Sequence, residues 1–313
     1  MRTIDKEKII ANCGHVVVLK GGDSAEREIS LLSGDAVFQG LKRLGVNVSA
    51  LDVGDNIVAD LQRLKPDLAM IMLHGQGGED GTIQGLLEML KIPYTGSGVL
   101  ASALAMDKVK SKLIWQRLGL NTADFEVLDE TTDWQATIEN FEVAVVKPIN
   151  GGSSLGIAIV RDAESLSKQF ETASQFDSEV MAEKCIIGSE FSVGVIAELL
   201  LPAVQLRTKR EFFDFDAKYI DEDTEIICPA LLSEEKLREL NDLVRAAYTS
   251  LDCEGLARVD VMQDQNGEFY LLELNTIPGM TDHSFVPMAA KKSGMGFDEL
   301  LLTVLELEQP ANN

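Results

Sequence analysis

The feature that most constrains this chain is an Asn-Gly pair at 266–267 between two runs rich in β-forming residues, ARVDVMQD and EFYLLELN. The pattern predicts a β-hairpin, because a two-residue type I′ turn needs positive φ at both central positions. With that loop, Asp260 lies opposite Glu273 and Arg258 opposite Asn275. All four share a face, since side chains two apart on a strand point the same way. A four-residue loop would keep this face, whereas an odd-numbered loop would split it.

Two carboxylates that face each other across a ribbon repel, so the predicted pair needs positive charge between them. Asp, Glu and Asn oxygens are hard ligands that suit Mg²⁺, which takes one or two protein carboxylates and otherwise binds water and substrate phosphates. Asp260, Glu273 and Asn275 are therefore candidate metal ligands. The alternative is the solvated face of an ordinary hairpin. The irregular TIPGMT that follows the second strand favours a binding edge.

Charge and hydrophobic content narrow the class of protein. A net charge of −23 argues against a nucleic-acid partner or an anionic membrane surface, because both bind basic surfaces. A hydrophobic content of 45% is that of a globular chain, and no apolar run approaches the ~20 residues that span a bilayer. Four scattered cysteines suit a reducing compartment, and the N-terminus is too charged for a signal peptide. We therefore expect a cytoplasmic protein.

An α/β organisation is predicted for the first hundred residues. Buried strands at 15–19 and 67–73 each enter a polar, glycine-rich loop, and helices follow at about 30–44 and 82–90. This alternation indicates a parallel sheet, which binds ligands at the carboxyl ends of its strands. The second loop, HGQGGEDG, has more glycines than one turn needs, which favours a binding loop that includes His74. A hydrogen-bonded histidine at a strand end is the alternative.

A further glycine-rich loop, NGGSSLG at 150–156, follows a buried strand at 143–147 that ends on Lys147. Such a loop offers N–H groups and hydroxyls to anionic oxygens, and the lysine supplies a point charge for phosphate. A mobile hairpin loop beside a solvated lysine is the alternative. Other helices are predicted at 107–118, 233–251 and 298–307. The residues alone thus indicate an α/β enzyme with a site for a hard metal ion and phosphate.

Eight motifs occur in a fixed order along nearly the whole chain: GGDSAEREIS, HGQGGEDGTIQG, PYTGSG, MDK, KPINGGSSLG, DAKY, RVDV and LELNTIPGMT. With them the chain resembles the D-alanine–D-alanine ligases, ATP-grasp enzymes of peptidoglycan synthesis. The resemblance implies an α/β fold with an α+β C-terminal half, built as a three-subdomain ATP-grasp fold. These subdomains are an N-terminal parallel-sheet α/β domain at 1–100, a central ATP-grasp subdomain at 101–190 and a C-terminal subdomain with the metal and catalytic residues at 191–313.

The resemblance also implies the reaction. ATP phosphorylates the carboxylate of one D-alanine, and the amine of a second attacks the D-alanyl phosphate to form D-alanyl-D-alanine for the peptidoglycan precursor. Mg²⁺ is the implied metal, with Mn²⁺ as an alternative, and the need for a monovalent cation stays open. The relatives make a homodimer the expected assembly. A sibling ligase that takes D-serine or D-lactate second is the alternative, and the tyrosine of DAKY disfavours D-lactate.

Site residues carry over from the matching motifs. The implied metal ligands are again Asp260, Glu273 and Asn275. The implied catalytic residues are Glu26, Ser153, Tyr219, Arg258, Gly279 and Ser284. The implied substrate-binding residues are Glu26, His74, Arg258, Gly279, Ser284 and Phe285. The implied ATP-binding residues are Lys108, Lys147, Ser153, Ser154, Glu183, Lys184, Ile186, Glu190, Phe212, Lys218 and Met262. Among them, Glu26, Ser153 and Tyr219 form an implied hydrogen-bonded triad that closes loops over the acyl phosphate and excludes water.

Overall fold

The computed structural model describes residues 5–152, 155–207 and 225–308. Its N-terminal sheet has three parallel strands in the order β2-β1-β3. These strands are β1 (His15–Gly21), β2 (Asn47–Val53) and β3 (Leu68–Ile71). The helices of this part are α1 (Lys6–Cys13), α2 (Arg27–Leu44), α3 (Ile57–Leu64) and α4 (Thr82–Leu90). The predicted βαβ arrangement is therefore confirmed.

Local signals place the ends of α2 well. The helix ends where Gly45 takes a left-handed conformation with φ 85° and donates its N–H to the last carbonyls. It begins at Arg27, three residues before the predicted start. The edge strand β2 was not predicted, because Leu51 is its one fully buried residue and the strand lacks a clear apolar pattern.

The central sheet has four antiparallel strands in the order β4-β7-β5-β6. They are β4 (Phe125–Leu128), β5 (Ala144–Pro148), β6 (Ala158–Val160) and β7 (Val180–Lys184). The helices here are α5 (Val99–Met106), α6 (Lys108–Arg117), α7 (Trp134–Phe141) and α8 (Ala163–Ala173). The predicted start of α6 is confirmed, because the Asp107 carboxylate accepts the Lys110 N–H at 2.8 Å.

The third sheet is antiparallel and follows the order β11-β10-β8-β12-β13, with β9 also paired to β8. Its strands are β8 (Gly188–Ile196), β9 (Leu199–Leu200), β10 (Val204–Arg207), β11 (Glu225–Ile227), β12 (Leu256–Asp264) and β13 (Phe269–Asn275). The helices here are α9 (Glu234–Ser250), α10 (Phe285–Lys292) and α11 (Phe297–Leu307). Leu240 and Val244 of α9 pack in one core with Val259 and Val261 of β12.

The last helix returns to the first sheet. Leu300 and Leu301 of α11 belong to the same buried cluster as Val16 and Leu41. Gly40 of α2 allows a close approach here, since a Cβ there would lie closer than 3.0 Å to a Leu301 methyl and 3.1 Å from the Phe297 ring, and these side chains would have to shift. The N-terminal core is thus completed by the end of the chain, while the subdomain bounds given above stay a prediction. No helix within the described ranges is long and apolar enough to cross a bilayer.

The turn of the β12–β13 hairpin differs from the predicted one. The Asp264 N–H bonds the Glu268 carbonyl, so the loop has three residues, 265–267. Gly267 takes a positive φ of 87° and Asn266 does not, which excludes the type I′ turn. An odd-numbered loop would have split the polar face.

A β-bulge restores the predicted register. Val261 pairs with Leu271 while Asp260 pairs with Glu273, so Leu272 is the extra residue. The odd loop and the bulge cancel, and Arg258 lies opposite Asn275 as predicted. The four polar residues of the ribbon therefore share one face.

Candidate active site

The Arg258–Asp260 pair forms the inner half of the polar ribbon. Asp260 is only 3% exposed, and its Oδ1 accepts the Ser192 hydroxyl at 2.7 Å from the neighbouring strand β8. Arg258 donates through Nη2 to Oδ2 at 2.8 Å and through Nε to Oδ1 at 3.0 Å. This two-pronged contact fixes the plane of the guanidinium at the edge of the site.

Glu273 and Lys108 form the outer half. The Lys108 Nζ lies 3.3 Å from Glu273 Oε2 and donates to the Gly151 carbonyl at 2.6 Å. Lys108 is the first residue of α6, so the start of that helix brings an ammonium group to both the ribbon and the glycine-serine loop. Asn275 Oδ1 accepts the Ile277 N–H at 3.0 Å, which sets the start of the following TIPGMT loop.

A fully buried ion cluster lies beside Lys108. Glu183 contacts Lys147 through Oε1 at 2.5 Å and Lys112 through Oε2 at 2.9 Å. Lys112 is 0% exposed and also donates to Thr122 Oγ1 at 2.6 Å. Sequence reasoning missed Lys112, because a lysine in an amphipathic helix is ordinarily solvated. With two cations and one anion, the cluster carries a net charge of +1 that suits an anionic ligand.

Glu183 is held ionised by its two lysines. Burial alone would raise the pKa of this carboxyl, but the Lys112 and Lys147 ammonium groups outweigh it and bring the pKa to about 2. The pKa in the folded state thus lies below the ordinary value of 4.5. The carboxylate therefore contributes stability above about pH 4.5, and that stability is lost as the pH falls towards 2.

Glu26 lies where three loops meet. A Cβ on Gly75, or one on Gly152, would come closer than 3.0 Å to the Glu26 carboxylate, so both backbones approach it directly. A side chain at Gly152 would force the Glu26 carboxylate to move, and Gly75 also has a positive φ of 70° that disfavours a side chain. The loops after β1 and β3 and the glycine-serine loop therefore converge on this residue. Its two predicted triad partners, Ser153 and Tyr219, lie outside the described residues.

Glu79 is a second carboxyl in this region that sequence reasoning missed. Its Oε2 accepts the Gly75 N–H at 2.6 Å, and the side chain is buried. Burial first, and then the Glu26 carboxylate, raise the pKa of Glu79 to about 8, although the Gly75 N–H and Arg258 oppose this. At neutral pH the group is therefore mostly an uncharged acid.

His74 is buried in the loop that follows β3, three residues after the strand ends. Its Nε2 lies 3.3 Å from Ser33 Oγ. Burial first, and then the positive charge of Arg258, lower the pKa of His74 to about 4, so the ring is neutral at pH 7. His74 is thus hydrogen-bonded, as the alternative prediction for this residue expects. The effect of Arg258 on its pKa shows that it also lies near a proposed catalytic residue.

Close contacts and hydrogen bonds hold the TIPGMT loop around Gly279. A Cβ on Gly279 would lie 2.8 Å from Ser284 Oγ, so the two residues are in contact. Ser284 Oγ accepts the Thr281 N–H at 3.0 Å, and Phe285 begins α10 immediately after. The Met280 N–H donates to Ser33 Oγ at 3.2 Å.

Several predicted ATP-binding residues lie along the two antiparallel sheets. Glu190 of β8 pairs with Met262 of β12, two residues along the strand from Asp260. Glu183 and Lys184 end β7, and Ile186 follows as a half-buried residue before β8. Predicted site residues outside the described ranges are Ser153, Ser154, Phe212, Lys218 and Tyr219.

Comparisons of the sequence and of the structure with known proteins all find ligases of this kind. Family models for the D-ala D-ala ligase N-terminus and C-terminus match residues 50–97 and 114–306. A curated D-alanine–D-alanine ligase from Saccharophagus degradans is 48% identical over 94% of this chain and 94% of its own length. A D-alanine–D-alanine ligase from Bacillus anthracis, solved in complex with ATP, has a TM-score of 0.83 and 33% identity, and covers 94% of this chain and 97% of that one. The VanG D-Ala:D-Ser ligase from Enterococcus faecalis has a TM-score of 0.80 and 27% identity, and covers 94% and 99%.

Two antiparallel sheets that meet over paired carboxylates and buried lysines, beside a parallel-sheet domain, define an ATP-grasp enzyme of the ATP-dependent ligase class. The chain belongs to the D-alanine–D-alanine ligase family, whose models together cover most of it.

Proposed function

We propose that this protein joins two D-alanines to D-alanyl-D-alanine: ATP transfers its terminal phosphoryl group to one D-alanine carboxylate to give ADP and D-alanyl phosphate, and phosphate leaves when the second amine attacks. The observation that carries the proposal is the meeting of Gly151, Lys108 and Glu273. It brings the glycine-serine loop, a buried ammonium group and a ribbon carboxylate to one point. Phosphoryl transfer requires such positioning and charge neutralisation more than covalent help from the protein.

The oxygen ligands of the ribbon fit Mg²⁺. No group of three His, Cys, Asp or Glu side chains is placed to hold a metal ion within the described ranges. Two carboxylates and an amide therefore suit an ion that completes its coordination with water and substrate phosphates, as Mg²⁺ does. When bound, the ion would neutralise charge on the phosphates. Because Arg258 and Ser192 already occupy the lone pairs of Asp260, binding there would displace part of the Arg258 contact.

The other site residues have roles that follow from their charge, burial and neighbours. Lys108 and Lys147 would bind ATP phosphates, since both are buried cations beside the glycine-serine loop or the Glu183 cluster. Glu26 would hold the ammonium of the first D-alanine. Arg258 would donate to the oxyanion of the tetrahedral intermediate together with the Gly279 N–H. Ser284 and Phe285 would contact the second D-alanine. The rest of the ATP molecule would be contacted by Glu183, Lys184, Ile186, Glu190 and Met262.

The remaining predicted residues would close the site. Ser153 and Tyr219 would join Glu26 in the triad. The close approach of Gly152 to the Glu26 carboxylate supports this proposal, because Gly152 immediately precedes Ser153. Ser154, Phe212 and Lys218 would complete the ATP site. Closure matters because an acyl phosphate hydrolyses when water reaches it.

Product analysis tests the reaction. With Mg²⁺, ATP and D-alanine alone, we expect phosphate and D-alanyl-D-alanine in about equal amounts, because each ligation consumes one ATP. L-alanine should give neither product, since Glu26 and Arg258 would hold one enantiomer. Phosphate release without dipeptide would contradict the proposed second substrate, and no ATP turnover with any D-amino acid would contradict the reaction itself.

D-serine is the second candidate for the second substrate. The similarity to a D-Ala:D-Ser ligase makes it worth measuring, and Ser284 and Phe285 are the residues that would discriminate. In a mixture of D-alanine and D-serine, we expect D-alanyl-D-alanine to exceed D-alanyl-D-serine. A predominance of the mixed dipeptide would establish the alternative.

A cytoplasmic homodimer is the proposed form. Met89 of α4 is 85% exposed, and Leu100 of the adjoining α5 is 64% exposed, so two neighbouring helices present apolar side chains to solvent. Light scattering should give twice the chain mass of 34.2 kDa. The double variant Met89→Asp, Leu100→Asp should give one chain mass, whereas Leu231→Asp, which changes an equally exposed leucine elsewhere, should stay dimeric. A monomeric wild-type protein would contradict the proposal.

A further inference from the structure

Ser33 lies between two parts of the proposed active site, although no motif above assigns it a role. It is a helical residue of α2 with 0% exposure. Its Oγ lies 3.2 Å from the Met280 nitrogen and 3.3 Å from His74 Nε2. A Cβ on Gly279 would also lie 3.8 Å from this oxygen. One hydroxyl of the N-terminal domain therefore contacts the TIPGMT loop and the HGQGGEDG loop together.

The chemistry of the partners sets the direction of each bond. A backbone N–H can only donate, so Ser33 Oγ accepts from Met280. Its single O–H is then available to donate to His74 Nε2, which must be unprotonated to accept. That tautomer carries its proton on Nδ1. In the opposite tautomer Nε2 would donate, so Ser33 Oγ would accept two bonds and its own O–H would lose His74 as an acceptor.

Gly279 needs such an anchor. A glycine has no side chain to restrict its backbone, and its neighbouring amide planes rotate more freely than those of other residues. The Met280 N–H donates to Ser33 Oγ, and the His74 ring lies by the Ile277 backbone, so the loop is held on both sides of Gly279. An oxyanion donor must be held at the position where charge develops, because a misplaced N–H stabilises the transition state less.

We propose that Ser33 is a positioning residue of the ligase reaction: its hydroxyl fixes the Met280 amide and the Nδ1–H tautomer of His74, and through both it holds the Gly279 N–H in place. The proposal rests on the proposed function, since Gly279 matters as an oxyanion donor only there. It predicts a defect in the chemical step and not in nucleotide binding.

Ser30 provides a matched control. It lies one turn earlier on α2, is also 0% exposed, and makes the same two kinds of bond. Its Oγ accepts the Gly21 N–H at 2.8 Å and donates to the Met72 carbonyl at 2.6 Å. Ser30→Ala removes a buried hydroxyl of equal standing without touching His74 or Met280.

Steady-state kinetics test the positioning role. Ser33→Ala should lower kcat for dipeptide formation about tenfold, a fraction of the 10²–10³-fold that follows loss of a whole oxyanion donor. Its KM for ATP should stay within about twofold of wild type. Ser30→Ala should match wild type in both constants, measured per folded enzyme. Equal kcat values for the two variants would overturn the proposal.

Nuclear magnetic resonance of the imidazole nitrogens tests the tautomer without substrate. The chain has three histidines, so the spectrum is simple and His74 can be assigned with a His74→Gln variant. At pH 7, wild-type His74 should show a protonated Nδ1 and an unprotonated Nε2. This signature should be lost in Ser33→Ala and kept in Ser30→Ala. A protonated Nε2 in the wild type would overturn the proposal even if Ser33→Ala failed to fold. Failure of the proposed function would appear differently, as absent wild-type dipeptide synthesis with the expected tautomer.

Discussion

Glu273→Gln is expected to lower kcat for dipeptide formation on the order of 100-fold or more, and to raise the Mg²⁺ concentration at half-maximal rate. The substitution keeps the shape of the side chain but removes one of the two ribbon carboxylates. The remaining Asp260 is already engaged by Arg258 and Ser192, so the ribbon would retain little anionic character for a cation. The measurement is the initial rate of phosphate and dipeptide formation across a Mg²⁺ titration.

The fold should survive this change. Glu273 is 33% exposed on its side chain, and its neutralisation removes both the repulsion towards Asp260 and the ion pair with Lys108, two effects of opposite sign. We expect a melting temperature close to that of the wild type. Glu268→Gln is the matched control, since Glu268 is an exposed carboxylate of the same hairpin and should leave kcat unchanged. A Glu273→Gln enzyme with wild-type kcat at moderate Mg²⁺ would show that the metal lies elsewhere.

Lys112→Met is expected to destabilise the protein by about 1–3 kcal/mol, the cost of leaving buried polar groups with fewer partners, because Glu183 keeps Lys147 and no isolated charge remains. Glu183 would keep one of its two counter-ions, and the Thr122 hydroxyl would lose its cationic partner. For a chain of this size, the loss corresponds to a fall in melting temperature of several degrees. Scanning calorimetry at pH 7 is the direct measurement.

Lys110→Met gives the comparison for Lys112 on the same helix. The Lys110 side chain is 58% exposed, and its ion pair with Asp107 spans 3.4 Å, so its loss should cost less than about 1 kcal/mol. The Lys112 variant should also raise the KM for ATP, because Glu183 and Lys147 are proposed to line the nucleotide site. Equal melting temperatures in the two variants would mean that Lys112 contributes no more than a surface lysine.

The hairpin shows how far local sequence reasoning reaches. The Asn-Gly signal predicted the hairpin and its polar face, and both are confirmed. The turn type was wrong, because the loop takes a third residue and only Gly267 has positive φ. The bulge at Leu272 compensates, since burial of Leu271 and Leu274 in the core constrains the strand to this register. Burial of a whole strand face is a stronger constraint than the preference of one turn.

The site was less accessible from sequence than the fold. The lysines and carboxylates of the motifs could be named, but their pairing could not. Lys112 and Glu183 are 71 positions apart in number, and Ser33 and Met280 are separated by 247 residues. No periodicity or cap signal reports a contact between such residues. Glu79 likewise gives no sign in the sequence that burial makes its carboxyl neutral.

The sequence by itself determined the elements and the chemical character of the ribbon. Helix ends at Asp107 and Gly45, the βαβ start and the shared face of Asp260 and Glu273 all follow from interactions within a few residues, or across one hairpin. The tertiary structure decided the charge states and the partners. It buried Lys112 against Glu183, brought Glu26 against Gly152 and made Ser33 a bridge between His74 and Met280. The physical reason is that desolvation and Coulomb energy depend on what surrounds a group in space, which the chain sets only when its sheets and last helices have packed.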